Sequence, residues 1–288
     1  MRHLWVFVLL AAVLVAVMGT QCSPTAPPAA TKAPAPTTAP TTEEAQISVA
    51  GSTTVQPLAE KLAQAYMGKH PKVQITVSGG GSSVGTKSAG RGTVDVGMAS
   101  REVKDSEKKE YSDLKIYTIA RDGIAIVVHP DVAVTGLTKD QVRDIFAGQI
   151  ANWKDVGGPD KAIIVVAREE GSGTRAAFEE LVMGKDGPDI MARAILQPSN
   201  GAVRTTVSTT PDAIGFLSFG YLDASVKALA VDGVEATEAN AASGKYPVVR
   251  PLNMLTKGEP TGAVKAWLDF ILGDEGQAIV GEKYIKVK

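Results

Sequence analysis

An α/β protein with mostly parallel sheets is the fold that this sequence predicts, on three observations. Short apolar runs alternate with helical patterns from about Ala45 to Lys288, the pattern of parallel strands covered by helices. Glycines and hydroxyl residues cluster directly after several of those runs, as in Gly51-Ser52-Thr53-Thr54, Gly79-Gly80-Gly81-Ser82-Ser83 and Gly171-Ser172-Gly173-Thr174. No repeat of fixed period runs through the chain. In such folds ligands sit beyond the carboxyl ends of the strands, where these loops fall.

Element by element, Gln46 to Ala50 reads as a strand. The next helix has Thr53 or Thr54 as its cap, Pro57 in its first turn, and Leu58, Leu62, Ala65 and Tyr66 on one face. Lys72 to Val77 is the second strand, Val84 to Ala89 a short helix, and Val94 to Met98 a third strand ending at Ala99-Ser100-Arg101. Asp105 to Glu110 is a mixed charge run, read as a solvated helix face. Gly123 to His129 is apolar and strand-like, and Thr138 with Gln141 forms a capping box for a helix reaching Phe146. Ile163 to Ala167 is a strand that leads into Arg168, and the helix beyond carries Ala177, Phe178, Leu181 and Val182. Ile214 to Ser218 and Tyr246 to Leu255 are strands, and Ala263 to Leu272 is the last helical pattern.

A helix start exposes unpaired backbone N–H groups at the positive end of its dipole, so three such starts meeting at one point would enclose a small oxyanion. Arg168, three residues before Gly171, would add a full positive charge. A single glycine-serine loop is ordinarily only a turn and a cap. Three of them, one beside an arginine, favour an anion cradle.

The N-terminus places this activity outside the cytoplasm. Leu4 to Met18 is fifteen apolar residues after a short basic start, the length of a signal-peptide core and short of the roughly 20 that span a membrane. Residues 1–22 are read as that signal peptide. Cys22, the single cysteine, resembles the lipid-modified cysteine of a bacterial lipoprotein, although Gln21 is larger than the usual residue beside the cleaved bond. Residues 23–45 are read as a disordered tether, since eighteen of the twenty residues from Ser23 to Thr42 are Pro, Ala or Thr.

Net charge of −1 and 5% aromatic residues argue against nucleic acid. Only His70 and His129 follow the leader, and the acidic residues form no calcium loop, so neither a metal nor another cofactor is expected. Gly81-Ser82-Ser83-Val84-Gly85 fits the short pattern of serine hydrolases, which keeps an exported hydrolase as the rival from another class. Both histidines stand before prolines, at a turn and a strand end, and are read as solvent-facing rather than as a base. The same loop misses the nucleotide-binding pattern because Thr86 separates Gly85 from Lys87.

Several spaced motifs together resemble the phosphate-binding proteins of ABC importers, the PstS family with its type II-like periplasmic-binding-protein fold. They are Ala50 to Leu58, Gly79 to Gly85, Val94 to Glu102 and Arg168 to Arg175, while Asn152 to Gly158 and Thr210 to Gly215 match as scaffold. The resemblance implies two hinged lobes with a ligand cleft between them, residues 45–122 plus 248–288 and residues 123–247. It implies a non-enzymatic monomer that captures inorganic phosphate and hands it to ABC permease subunits from a lipid anchor on the membrane. Thr53, Thr54 and Ser82 would donate to the anion, with Ser172, Gly173 and Thr174 as the third cradle and Arg168 as the charged contact. Arg175 would face away as a surface charge. Where the best-known members carry an aspartate after the third strand, this chain has Ser100, which weakens the expected rejection of sulfate unless Asp95 or Glu102 reaches the ligand. Sulfate, molybdate or a phosphonate remains the alternative guest.

Overall fold

The computed structural model describes residues 44–288. The apolar leader, Cys22 and nearly all of the Pro/Ala/Thr tether lie outside the described residues. Among those described, no helix is long and apolar enough to cross a membrane.

From the amino end, β1 (Ala45–Gly51) leads to α1 (Gln56–Lys69), β2 (Val73–Gly80), α2 (Ser82–Arg91), β3 (Val96–Ala99) and α3 (Asp105–Glu110). Next come β4 (Leu114–Val128), β5 (Gly136–Leu137), α4 (Lys139–Ala147), β6 (Ile164–Arg168) and α5 (Gly173–Phe178). β7 (Ile195–Gln197), α6 (Asn200–Thr209), β8 (Ala213–Ser218), β9 (Lys227–Ala228), β10 (Ala230–Val231) and α7 (Glu238–Ala242) follow. The chain ends with β11 (Val249–Lys257), α8 (Gly262–Leu272) and α9 (Asp274–Val280).

The main sheet has the strand order β2-β1-β3-β11-β4-β8-β6-β7, with β9 beside β4. β1, β2 and β3 are parallel to one another, and so are β6, β7 and β8. β4 and β11 are the exception: they run antiparallel to each other and to their outer neighbours. β4 was legible only from Gly123 onward. In fact it is one 15-residue strand whose first part pairs with β11 and whose last five residues pair with β8.

That crossing divides the apolar interior. One core gathers Ile47, Leu62, Met98, Ile119, Leu252 and Trp267, and the other gathers Ile126, Phe146, Trp153, Phe178, Phe216 and Val248. Within the second, Phe178 stacks on Phe216 with ring centres 4.1 Å apart. Trp153 Nε1 donates to the Asp212 carbonyl at 3.0 Å, joining the two scaffold motifs to each other. Burying such large rings supplies the apolar contribution that holds each half together.

Local signals explain the helix starts. Thr138 Oγ1 accepts from the Gln141 amide and Gln141 Oε1 from the Thr138 amide, at 3.1 and 2.9 Å, the capping box expected for α4. At α1 the expected cap is corrected. Neither Thr53 nor Thr54 caps it; Ser52 Oγ accepts from the Thr54 and Val55 amides at 3.2 and 3.3 Å. The Thr54 hydroxyl is thereby left for other work.

The charge run of α3 is also corrected, because it is not a wholly solvated face. Glu107 is buried and takes both Arg101 Nη atoms at 2.7 and 2.8 Å, with the Lys104 amide at 2.9 Å. Burial pushes its carboxyl up, but these donors and the Arg101 charge outweigh it and hold the group below the usual range. A carboxyl depressed in the fold stabilises above its unfolded pKa of about 4.3, and that contribution disappears as pH falls through the lower folded value. Glu107→Gln is therefore expected to cost about 3 kcal/mol at neutral pH, since it leaves Arg101 buried without its counter-charge. Urea titrations at falling pH should show the gap to wild type closing below about pH 4.

Candidate functional site

The carboxyl ends of β1, β2 and β3 meet those of β6 and β8 at one polar cluster, and tight backbone packing brings them there. Gly51 has φ 135°, and a Cβ on it would lie 2.4 Å from the Met98 carbonyl and 2.6 Å from Gly85 Cα. Only glycine lets the end of β1 lie so close to α2 and β3. The Gly81 amide then donates to the Gly51 carbonyl at 2.9 Å, and the Ser83 amide to the Gly171 carbonyl at 3.1 Å. All three glycine loops are thus in contact.

Buried hydroxyls line the junction. Ser52, Thr54, Ser82, Ser100, Ser172 and Thr174 are each at most 2% exposed. Thr54 Oγ1 lies 3.0 Å from Thr174 Oγ1, a hydrogen bond between residues 120 positions apart. Ser82 Oγ accepts from the Ser100 amide at 3.0 Å and lies 3.4 Å from Ser100 Oγ. Gly173 packs so closely that a Cβ there would lie 2.0 Å from Ser82 Oγ and 2.6 Å from Ser100 Oγ. Ser172 caps α5 through the Arg175 amide at 3.2 Å. The amides of Gly173 and Thr174 stand at the first two positions of that helix, where no intrahelical acceptor exists. A cavity of about 330 Å³, lined in part by Ser83, Lys104, Glu170, Gly171, Ser172 and Arg175, adjoins the loops from the solvent side.

Arg168, at the end of β6, is 1% exposed, and its contacts are sharply divided. Nε donates to Glu169 Oε2 and the Gln197 carbonyl at 2.9 and 3.0 Å. Nη2 reaches Glu169 Oε1, the Pro198 carbonyl and Thr53 Oγ1 at 2.9, 3.2 and 3.3 Å. Nη1 has no partner. A buried guanidinium nitrogen left bare costs free energy unless an acceptor meets it.

Four contributors were not found from the sequence: Asp122, Arg250, Asn200 and Tyr221. Asp122 and Arg250 are register partners on β4 and β11 and form an ion pair at 2.9 Å with side chains at most 1% exposed. Burial pushes the Asp122 carboxyl up, opposed by Arg250, while burial also pulls the Arg250 guanidinium down. The second Asp122 oxygen faces Ser218 and the Phe219 amide without a well-formed hydrogen bond. Arg250 continues to the Ser100 carbonyl at 3.1 Å and to Ser100 Oγ and Thr54 Oγ1, both at 3.4 Å. Asn200, the first residue of α6, donates Nδ2 to Thr54 Oγ1 at 2.8 Å. Tyr221 donates to the Thr53 carbonyl at 2.8 Å, and burial pushes its phenol up to about 12, so it stays protonated. Only Arg250 left a trace in the sequence, as a single charge within the apolar run Val248 to Leu255, and that trace does not name its partner.

The structure brings Thr53, Thr54, Ser82, Ser100, Arg168, Ser172, Gly173 and Thr174 together. It does not bring Asp95 or Glu102: Asp95 binds Ser48 Oγ at 2.7 Å, and Glu102 is exposed. Arg175 is not the free surface charge expected, since it is half-buried and holds the Arg168 carbonyl at 3.0 Å and Glu179 at 2.7 Å. The histidines are half-buried rather than solvent-facing. His70 stacks on Tyr66 at the far end of α1, and His129 Nδ1 accepts from the Asp131 amide at 3.2 Å. Among the described residues no cluster of ligating side chains could hold a metal ion.

Two α/β halves joined by two crossing strands, with both parallel sets aimed at one polar cluster, define a two-lobed binding-protein fold of the periplasmic type. The PBP superfamily domain model matches residues 36–275. The phosphate-binding protein PstS of Bacillus subtilis is 35% identical over 244 residues, covering 84% of this chain and 80% of that one. Among solved structures, a substrate-binding protein from Clostridium perfringens with bound phosphate superposes with a TM-score of 0.81 at 44% identity. It is covered completely, by 84% of this chain. An ABC-type phosphate transport receptor from Vibrio cholerae gives 0.71 at 36% identity, over 83% of this chain and 99% of that one. The chain belongs to the PstS family of phosphate-binding proteins.

Proposed function

We propose that this protein captures inorganic phosphate outside the cytoplasm and delivers it to the permease of an ABC importer, without chemistry of its own. The observation that carries this reading is the bare Nη1 of Arg168, a buried cationic donor whose Nη2 already holds Thr53, next to Thr54 in the buried hydroxyl cluster with Ser82, Ser100 and Thr174. Ser172 and Gly173 complete the cradle with the start of α5. Charge-assisted hydrogen bonds contribute about 1.5 to 3 kcal/mol each, so a few of them with the hydroxyls reach the roughly 8 kcal/mol of micromolar affinity. The names of the relatives support phosphate as the guest.

The lobes of this reading are residues 45–122 plus 248–288 and residues 123–247, hinged at β4 and β11. The two separate cores support that division. Anchoring through Cys22 and a monomeric state complete the proposal. Against hydrolysis stands the hydrogen bonding of the serines, none of which has a histidine partner among the described residues.

Calorimetry with a panel of oxyanions tests the reading. Phosphate is expected to bind at micromolar affinity or tighter, ahead of sulfate, molybdate and phosphonates, and ester substrates should not turn over. Tighter binding of another oxyanion, or ester cleavage, would replace it.

A further inference from the structure

Two groups that can only donate, Asn200 Nδ2 and Arg250 Nη2, converge on the Thr54 hydroxyl. The Ser218 amide donates to Asn200 Oδ1 at 3.2 Å, which fixes the amide orientation and turns Nδ2 toward Thr54. Arg250 Nη2, which has no lone pair to offer, approaches the same oxygen at 3.4 Å. A hydroxyl accepts twice and donates once. With both acceptor sites occupied, Thr54 must give its proton away, to Thr174 Oγ1 at 3.0 Å or to a guest. Thr174, when it accepts from Thr54, is left with its own proton to donate. The Ser82 and Ser100 hydroxyls are biased the same way, each filled once by an obligatory donor: the Ser100 amide and Arg250 Nη1.

We propose that Asn200 and Arg250 are positioning residues that fix the pocket hydroxyls as donors, so the site selects the phosphate form with fewest protons and discriminates weakly against sulfate. The inference rests on the phosphate reading of the same site. It goes further than the loss of the family's aspartate at Ser100: the orientation is imposed from behind, by the ion pair on the two crossing strands and by the first residue of α6. Asp122 holds Arg250 in place through Nε and Nη2 at 3.2 and 2.9 Å.

Charged and titratable groups surround the Thr53–Thr54 turn: Arg250 on β11 with Asp122 on β4 behind it, Arg168 with Glu169 at the end of β6, and the phenols of Tyr221 and Tyr284. Arg101 with Glu107 stands behind Ser83. If any of these produced a pH trend, it would act on sulfate and phosphate alike. Sulfate keeps its charge between about pH 5.5 and about pH 8, whereas phosphate loses a proton there.

The experiment is calorimetry of wild type, Asn200→Asp and Asn200→Ala with phosphate and with sulfate at both pH values. Wild-type phosphate affinity is expected to rise with pH while sulfate affinity stays level. At pH 8 the introduced carboxylate of Asn200→Asp accepts a hydrogen bond from the Thr54 hydroxyl, and the lone pair that Asn200 Nδ2 had filled becomes free to accept from the phosphate hydroxyl. The phosphate-to-sulfate affinity ratio should then rise about tenfold, the worth of one hydrogen bond. Asn200→Ala adds no charge and should raise it about threefold by releasing one Thr54 lone pair. Because the ratio is read on folded molecules, lost stability does not move it. An unchanged or lower ratio in both variants, or a wild-type trend shared by sulfate, overturns the proposal while leaving phosphate capture standing. Wild type that binds neither anion overturns phosphate capture itself.

Discussion

Arg168→Ala is expected to weaken phosphate binding by roughly 100- to 1,000-fold, the cost of removing a buried charged donor from a desolvated anion. The division of labour within the side chain makes the effect specific. Nε and Nη2 are spent on Glu169, Thr53 and the carbonyls of Gln197 and Pro198, and Nη1 alone is free. Arg168→Lys should therefore fail almost as badly, because one ammonium cannot hold those carbonyls and still present a donor to the guest. Glu169 is about one-third exposed and can take up water when its partner is lost, so the fold should survive. Calorimetry beside urea denaturation reads both outcomes. A variant within threefold of wild type would remove Arg168 from the site.

The legibility of the site in the sequence follows from the range of the forces involved. Gly51, Gly81 and Gly171 stand out because left-handed or crowded backbone demands glycine locally, and the Thr138–Gln141 capping box spans four residues. Such features are written in neighbouring letters. The Asp122–Arg250 pair joins positions 128 apart, and Asn200 meets Thr54 across 146, so no local pattern announces either. β4 was half missed for a related reason. Its first residues pair with β11 and carry polar side chains, including Lys115, Thr118, Arg121 and Asp122, where a central strand would be uniformly apolar. Neither Thr53 nor Thr54 caps α1, and Ser52 instead holds the turn before it, because three adjacent hydroxyls are equivalent on paper; only the turn geometry selects the one whose oxygen reaches the amides.

The electrostatics of the cluster follow a single pattern. Each of its buried arginines has its own carboxylate: Arg101 with Glu107, Arg168 with Glu169, Arg250 with Asp122. Paired in this way, they add little net charge. Attraction for an anion then depends on oriented donors rather than on a surplus of cations, in keeping with a chain of formal net charge −1. Oriented donors act over short distances, so the fit between the two halves decides affinity.

Gly173→Ala tests that fit. At the first position of α5, and with an ordinary backbone conformation, alanine is the better helix former, and propensity alone favours the substitution. The junction does not. The added methyl would lie 2.0 Å from Ser82 Oγ, 2.6 Å from Ser100 Oγ and 2.8 Å from Ser82 Cβ. Rotating the Ser82 hydroxyl away would break its bond from the Ser100 amide and still leave the Cβ clash, so the loop at Gly173 must retreat from Ser82. The donors on the two sides would then stand too far apart to hold one anion, since hydrogen bonds weaken steeply beyond their usual lengths. Phosphate affinity is expected to fall about 100-fold or more, the loss of two or more such contacts. Each half keeps its own core, so the midpoint of thermal unfolding should stay within a few degrees of wild type. Wild-type affinity in this variant would mean that Ser82, Ser100 and Gly173 do not close on the same guest.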